Sequence, residues 1–585
     1  MSKLLIKRAS LLAATLTLGS ATVGSLAPVY AAAPKFNTEV KNEGTAIKGG
    51  VLKYALVGDP FEGVMSPMLS DSKPDADIEA FFNPSLYGYD ENFVIDDSGF
   101  AKVEFNKDEK TATIKIPENT KWDDGQPLTI DDVIFPYYVV GSKDYTGVRY
   151  DERFENIEGM TEYHKGEAKE ISGLERVDDY TLKVHYKNFN NSMMQAGGGV
   201  SEYVAPKHIL EKEDIAKLED SPYVRKNPVG FGPFKVKSVV PGESVELVAN
   251  EYYYKGKPKL DGVVIDVVSP TSAVAEMKAG KYDIAKLPTD EYETFKDAKN
   301  FTNLGQVSNA YTYIGFKMGK WDAKKGENVM DPKKVTANKA LRQAMAYAID
   351  NNAVGEKFYN GLRISANSPI VPVYKDYYNK DAKAYKYDPE KAKQVLAKAG
   401  FKDKDGDGFV EDPKGKAFKL KFASMSGGET AEPLAQYYLE AWKQVGINVE
   451  LVDGRLMEMN AFYERVEKDD PNVDVFQAAW STGGDPDPAG LYSRIAQFNY
   501  SRFSSKENDQ LLADIASDKS FDPAYKKEAF FKWQDYFQEE LPIIPTLFRY
   551  EVTAVNKRVS NYNIKFGSET DWETVELLAD KPAAE

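Results

Sequence analysis

Apolar residues recur along this chain at two spacings, and the spacing decides what each segment can become. TATIKI, over 111–116, alternates at period two and predicts a half-buried strand. KWDDGQPLTIDDVIF then turns at Asp124-Gly125 and enters a helix, with Thr129 as N-cap and Asp132 at N3. GVVIDVV at 262–268 predicts a strand, the next segment a short helix stopped by Gly280, and KYDIA another strand. Helical spacing returns in ANKALRQAMAYAID, where Leu341, Met345 and Ala348 share a face. It returns again in YDPEKAKQVLAKAG, which is capped by Asp388, opened by Pro389 and stopped by Gly400, with Val395 and Leu396 inward.

The stretch 417–480 says most about architecture. AFKLKFA, INVELV and VDVFQAAW read as strands, separated by the helix TAEPLAQYYLEAWKQVG, which ends at Gly446, and by the helical MEMNAFYERVEK. Strand, helix, strand, helix, strand is the pattern of right-handed parallel crossovers. Ligands of open α/β sheets bind outside the carboxyl ends of the strands. The loops 424–428, 453–455 and 480–488 are therefore expected at one edge.

Composition narrows the chemistry. A chain of 585 residues exceeds one ordinary core, so two or three domains are expected. Residues 1–31 read as an export signal: Lys3, Lys7 and Arg8 precede an uncharged stretch, and Val29-Tyr30-Ala31 supplies a cleavage site. Its removal makes the formal net charge more negative than −16, which disfavours nucleic acid as a partner. With Cys 0 and His 3 there is no thiolate nucleophile and no clustered metal or Ser-His constellation. The 36 Tyr and 30 Phe offer rings suited to ligands of mixed polarity, although core packing must take most of them.

Asp485 and Asp487, in WSTGGDPDP, are the candidate acids. Two residues apart on a Pro-punctuated loop, they do not make a facing acid/base pair. Either Asp485 offers its carboxylate to a ligand ammonium, or the Asp-Pro steps only form turns. DKDGDG places Asp403, Asp405 and Asp407 as in a calcium loop, but Lys414 stands where a bidentate Glu belongs, so a solvated turn is the expectation. No cofactor is implied.

Several segments, in order, resemble one family. These are KWDDGQPLTIDDVIFPYYVV, NPVGFGPFKVKSVVPGESVELVANEYYYKGKPKLDGV, AEMKAGKYDI, YIGFKMG, LRQAMAYAID, AKQVLAKAG, DKDGDG and WSTGGDPDP. They resemble the OppA-like peptide-binding proteins that serve ABC importers, bacterial solute-binding protein family 5. The resemblance spans roughly 50–575. It implies a periplasmic-binding-protein-like α/β fold of cluster C type, two hinged lobes with an additional inserted domain. The lobes would be 32–86, 206–306 and 546–585 for the first and 307–545 for the second, with 87–205 inserted. The implied function is non-enzymatic: an extracellular monomer captures oligopeptides in extended form and delivers them to a membrane permease. A pheromone or glycopeptide ligand, or a chaperone or adhesive role, is the alternative on the same fold.

The resemblance implies ligand contacts at Tyr54, Leu56, Val57 and Tyr87 on one side and at Ser426, Gly427, Trp480, Gly484 and Asp485 on the other. The aspartate that binds the peptide amino terminus in relatives falls here at Gly484, with Asp485 beside it. That leaves open whether a free N-terminus is read. Relatives from single-membrane bacteria carry a lipid-anchoring cysteine after the signal, and this chain has none. Free secretion, retention by the permease or wall, and an uncleaved anchor over 9–34 all stay open.

Overall fold

The computed structural model describes residues 34–427, 430–566 and 570–585, so the export signal expected over 1–31 lies outside the described residues. An 11-stranded sheet organises the chain. It runs from Val449–Leu451 through Leu420–Ala423, Val475–Ser481, Phe301–Phe316, Ile543–Asn556, Ile284–Leu287, Val51–Val57, Gly262–Val268 and Ser244–Ala249 to Phe234–Val240, while Arg363–Ser365 pairs with Ile543–Asn556. The first three strands pair in parallel, as the crossover pattern over 417–480 predicts. Val51–Val57 lies parallel to both Gly262–Val268 and Ile284–Leu287 in the other half.

Two long antiparallel strands, Phe301–Phe316 and Ile543–Asn556, belong to both halves. Thr302 to Val307 pair on one side, in the half that holds Val51–Val57, and Tyr311 to Gly315 pair on the other. Between them the register breaks. Val307 faces Tyr550 and Tyr311 faces Phe548, so Ser308, Asn309 and Ala310 stand opposite Arg549 alone, and a smaller shift follows between Thr312 and Tyr313. A bulge of this kind frees backbone groups and bends the ribbon. The second half packs close at this point: a Cβ on Gly315 would lie 2.2 Å from the Phe476 ring, so only glycine fits.

Residues between these halves form a separate antiparallel sheet, in the order Lys102–Asn106, Thr111–Lys115, Thr181–His185 and Leu174–Asp178. The helix Ile130–Val140 shares its apolar core, and Asp132 accepts the Thr129 N–H at 2.9 Å, as the capping pattern requires. The other expected helices form at Pro270–Lys278, Lys339–Tyr347, Pro389–Lys398, Ala431–Gln444 and Met459–Glu467. Gly280, Gly400 and Gly446 terminate theirs at positive φ, where a side chain would be strained.

A buried ion pair ties the first half together. Arg558 and Asp283 are 4% and 0% exposed and meet through two bonds of 2.5 and 2.6 Å. Asp283 also accepts the Lys53 N–H at 2.8 Å, and Arg558 donates to the carbonyls of Val51, Ala579 and Asp580. Removing one partner of such a pair strands the other charge in a dry interior. Asp283→Ala should therefore lower unfolding free energy by roughly 3 to 5 kcal/mol in urea titrations, and a loss within experimental error would mean that water reaches the guanidinium.

Candidate functional site

A cavity of about 1190 Å³ opens where the two halves and the intervening segment meet. Its wall is drawn from all of them: Gly88, Tyr89, Phe93, Ser98, Gly99 and Ala196 from the intervening segment, Gln306 and Val307 beside the ladder break, and Pro372, Val373, Lys375 and Gly484 from the second half. Tyr254, Lys255, Phe566 and Asp571 complete it. The volume exceeds the usual drug-sized pocket. Gly88 and Gly99 are packed backbone to backbone, since a Cβ on Gly88 would lie 2.3 Å from the Gly99 nitrogen. That part of the wall is therefore main chain.

The turn 90–94 aims Phe93 at the junction. Asp90 accepts the N–H groups of Asn92 at 2.7 Å and Val94 at 3.0 Å, which holds Phe93 in the left-handed region at φ 61°. The Phe93 ring meets Tyr374 edge-on at 5.7 Å and lies 5.9 Å from Phe566, touching both halves at once. At the rim Lys375 pairs with Glu91, and Asn92 donates to Asp376 at 2.9 Å. These groups are exposed, so the ion pair contributes little to stability.

The loop 480–488 is held from below by the ladder break. Asn309 accepts the Thr482 N–H at 2.7 Å and donates its side-chain amide to the Thr482 carbonyl at 2.6 Å. The Tyr374 hydroxyl reaches Thr482 Oγ1 at 2.9 Å and the Gly483 carbonyl. Asp485 then accepts the Asp487 N–H at 3.0 Å, and Asp487 accepts that of Ala489 at 2.8 Å. Both acids thus form the turns expected of Asp-Pro steps. Ser192 lies near Asp485, and Lys526, itself 5% exposed, lies close enough to feel both carboxylates.

Each acid keeps a sliver of solvent contact, but surrounding protein crowds the carboxylates. Burial raises the pKa of Asp485, and burial followed by the Asp485 charge pushes Asp487 up to about 7. Burial lowers Lys526, against the pull of both acids. The cluster is electrostatically self-contained.

Of the residues singled out from the sequence, Gly484 lines the cavity and Asp485 adjoins it, facing Ser192. The others are placed elsewhere. Tyr54 packs edge-on against Phe81 at 5.5 Å, and Leu56 is buried in the same apolar cluster. Val57 packs in a neighbouring cluster. Tyr87 is 1% exposed and donates its hydroxyl to the Ser201 carbonyl at 3.0 Å. Ser426 and Gly427 are exposed, with Ser426 bonded to the Met457 carbonyl. Trp480 stacks on Tyr500 at 5.5 Å and meets Phe498. The loops expected at 424–428, 453–455 and 480–488 follow the parallel strands, with Gly428 outside the described residues, but a strand end controls where a loop starts and not which side chain reaches the cleft. Phe93, Tyr374 and Lys526 were missed; the turn residues Asp-Glu-Asn between Tyr89 and Val94 were the readable signal for Phe93. Asp403, Asp405 and Asp407 are exposed, and Asp403 caps its own loop by accepting the N–H groups of Gly406 and Gly408 at 2.7 and 3.0 Å.

Two halves joined by a shared pair of strands, with a cavity between them, define a hinged ligand receptor of the periplasmic-binding-protein type. The family "Bacterial extracellular solute-binding proteins, family 5 Middle" matches residues 98–501, and the chain belongs to this family. It is 34% identical over 536 residues to the oligopeptide-binding protein OppA of Lactococcus lactis subsp. cremoris, covering 88% of this chain and 89% of that one. It is 30% identical to the oligopeptide-binding protein AppA of Bacillus subtilis, covering 84% and 86%. The solved lactococcal OppA, closed on an endogenous peptide, superposes with a TM-score of 0.75 at 34% identity over 90% of this chain and 100% of that chain.

The acid cluster makes a pH prediction. The folded-state pKa of Asp487 lies above its unfolded value, so its stabilising contribution is full below about 4 and is lost as pH rises through about 7. Asp487→Asn should flatten the pH dependence of thermal unfolding across that window, and an unchanged slope would show that this carboxylate ionises freely.

Proposed function

We propose that this protein is the receptor of an ABC importer, capturing oligopeptides in extended form between two closing lobes and delivering them to a membrane permease. The observation that carries the reading is the cavity of about 1190 Å³ at the junction, in a chain similar along most of its length to a receptor solved closed on a peptide. The first lobe comprises 32–86, 206–306 and 546–585, the inserted domain 87–205 and the second lobe 307–545. On this division the lobe boundaries fall inside the two long strands, where a small change in backbone angles moves one lobe against the other.

The peptide is held chiefly by its main chain, against wall segments such as Gly88 and Gly99 that present backbone. Side chains then occupy a roomy space, and many sequences fit. The cavity wall carries Glu91 on Lys375, Lys255 at 3.5 Å from Asp571, Asp96 held by Ser98 and Lys565 held by Glu39, three acids and three bases, so neither sign of ligand charge is favoured. Asp485 is committed to its own turn and lies beside Lys526, so the peptide ammonium has no fixed partner in this loop. The receptor works outside the membrane as a monomer without a cofactor, and no helix among the described residues is long and apolar enough to cross a membrane. No bond is made or broken.

Native mass spectrometry of the purified protein should release a mixture of short peptides, and a single non-peptide compound would contradict the assignment. In calorimetric titrations, free-amine and N-acetylated forms of one peptide should differ in affinity by less than about tenfold, because a buried charge contact would be worth more than that. A larger preference for the free amine would place an ammonium site in the cleft.

A further inference from the structure

We infer that Gly484 and the acids behind it form a closure seat: the second half receives residues 192–196 of the inserted segment there, and the fit at this point sets how far the cavity can shut. This rests on the capture reading above, because a seat has a role only in a receptor that opens and closes.

Gly484 is not a glycine for conformational reasons, since its φ lies outside the left-handed region. Its neighbour supplies the reason. A Cβ built there would lie 2.4 Å from Ala196 Cβ and 2.9 Å from the Ala196 carbonyl oxygen, closer than real Cβ atoms come. Both residues line the cavity, so their contact is part of its wall.

The segment that arrives is held stiff, and its polar atoms are met. Ala196 donates its N–H to the Phe93 carbonyl at 2.9 Å. With its amide turned to suit its neighbours, the buried Gln195 donates to the carbonyls of Asn92 and Phe93 at 3.0 and 3.1 Å and accepts from Lys526 Nζ at 3.1 Å. Tyr377 approaches Gln195 from the second half, with Lys526 Nζ over its ring at 5.0 Å. Ser192 meets Asp485, and Asn191 donates to the Ile515 carbonyl at 3.1 Å. On opening, water can replace the partners that the second half supplies, Lys526, Asp485 and the Ile515 carbonyl, so the contact is reversible in a way that an apolar interface is not. Steric fit at Gly484 gives the seat its limit, and the polar groups give it register.

The chain has no cysteine, so Glu104→Cys and Lys443→Cys, both at exposed positions, can carry a unique pair of spin labels. The label distance should shorten when wild type is given a peptide mixture. Gly484→Leu, and Ala196→Leu from the opposite side, should hold the longer distance and weaken peptide binding by about tenfold or more. Gly490→Leu, where added atoms meet open space, should close like wild type, with circular dichroism checking that all three fold. Without any peptide, Gly484→Leu should also deplete the compact population seen in wild type, so the seat is read even if no peptide binds. Failure of wild type to respond to any peptide would overturn peptide capture. Distances for Gly484→Leu equal to wild type, with or without peptide, would overturn the seat.

Discussion

The break in one ladder, where Val307 and Tyr311 of the Phe301–Phe316 strand face Tyr550 and Phe548, is the constraint on which the rest depends. It has to serve two ends. The strands must be continuous, so that both halves belong to one sheet, and they must be loose enough at one place for the halves to move. Extra residues at 308–310 meet both needs, because the ladder resumes on either side and the unpaired backbone between finds other partners. Asn309 is one of the residues so released, and it takes Thr482. The ladder break and the loop 480–488 are thereby one structural unit.

From that anchor the site follows outward. Thr482 and Gly483 are fixed by Asn309 and Tyr374, which leaves Gly484 at a defined place on the cavity wall. Asp485 and Asp487 spend their carboxylates on their own turns and on the approach of Ser192, with Lys526 balancing their charge. Acids in this position would ordinarily be read as ligand groups. Here their geometry assigns them to the shape of the loop, and a cleft without a committed charge suits a ligand recognised by its main chain.

Much of the fold was legible because local rules and tertiary structure agreed. Thr129 with Asp132, Asp388 with Pro389, and the glycines at 280, 400 and 446 mark helix ends by chemistry that does not depend on distant residues. Alternation marks the strands expected at 111–116 and 417–423 for the same reason, and Thr111–Lys115 and Leu420–Ala423 form there. The two longest strands escaped. Gly305, Gln306 and Asn309 interrupt the apolar pattern of one, and the other is buried along most of its length on both faces, so neither shows a steady period. The site was less legible than the fold, since it is assembled from segments that lie far apart in sequence. Tyr87 and Tyr54 have the residue type of ligand contacts, but burial gave them to the core. Gly484 was readable as a wall residue; that its neighbour would be Ala196 was not, because the two lie far apart in sequence and only the tertiary fold brings them together.

A crystal structure grown with a defined peptide tests the account most directly. The account predicts continuous density for an extended chain inside the cavity, its main chain against the wall formed by Gly88, Gly99, Gln306 and Val373, with both termini free of Asp485. Density for the peptide on an outer surface, with the cavity between the halves left to solvent, would contradict it.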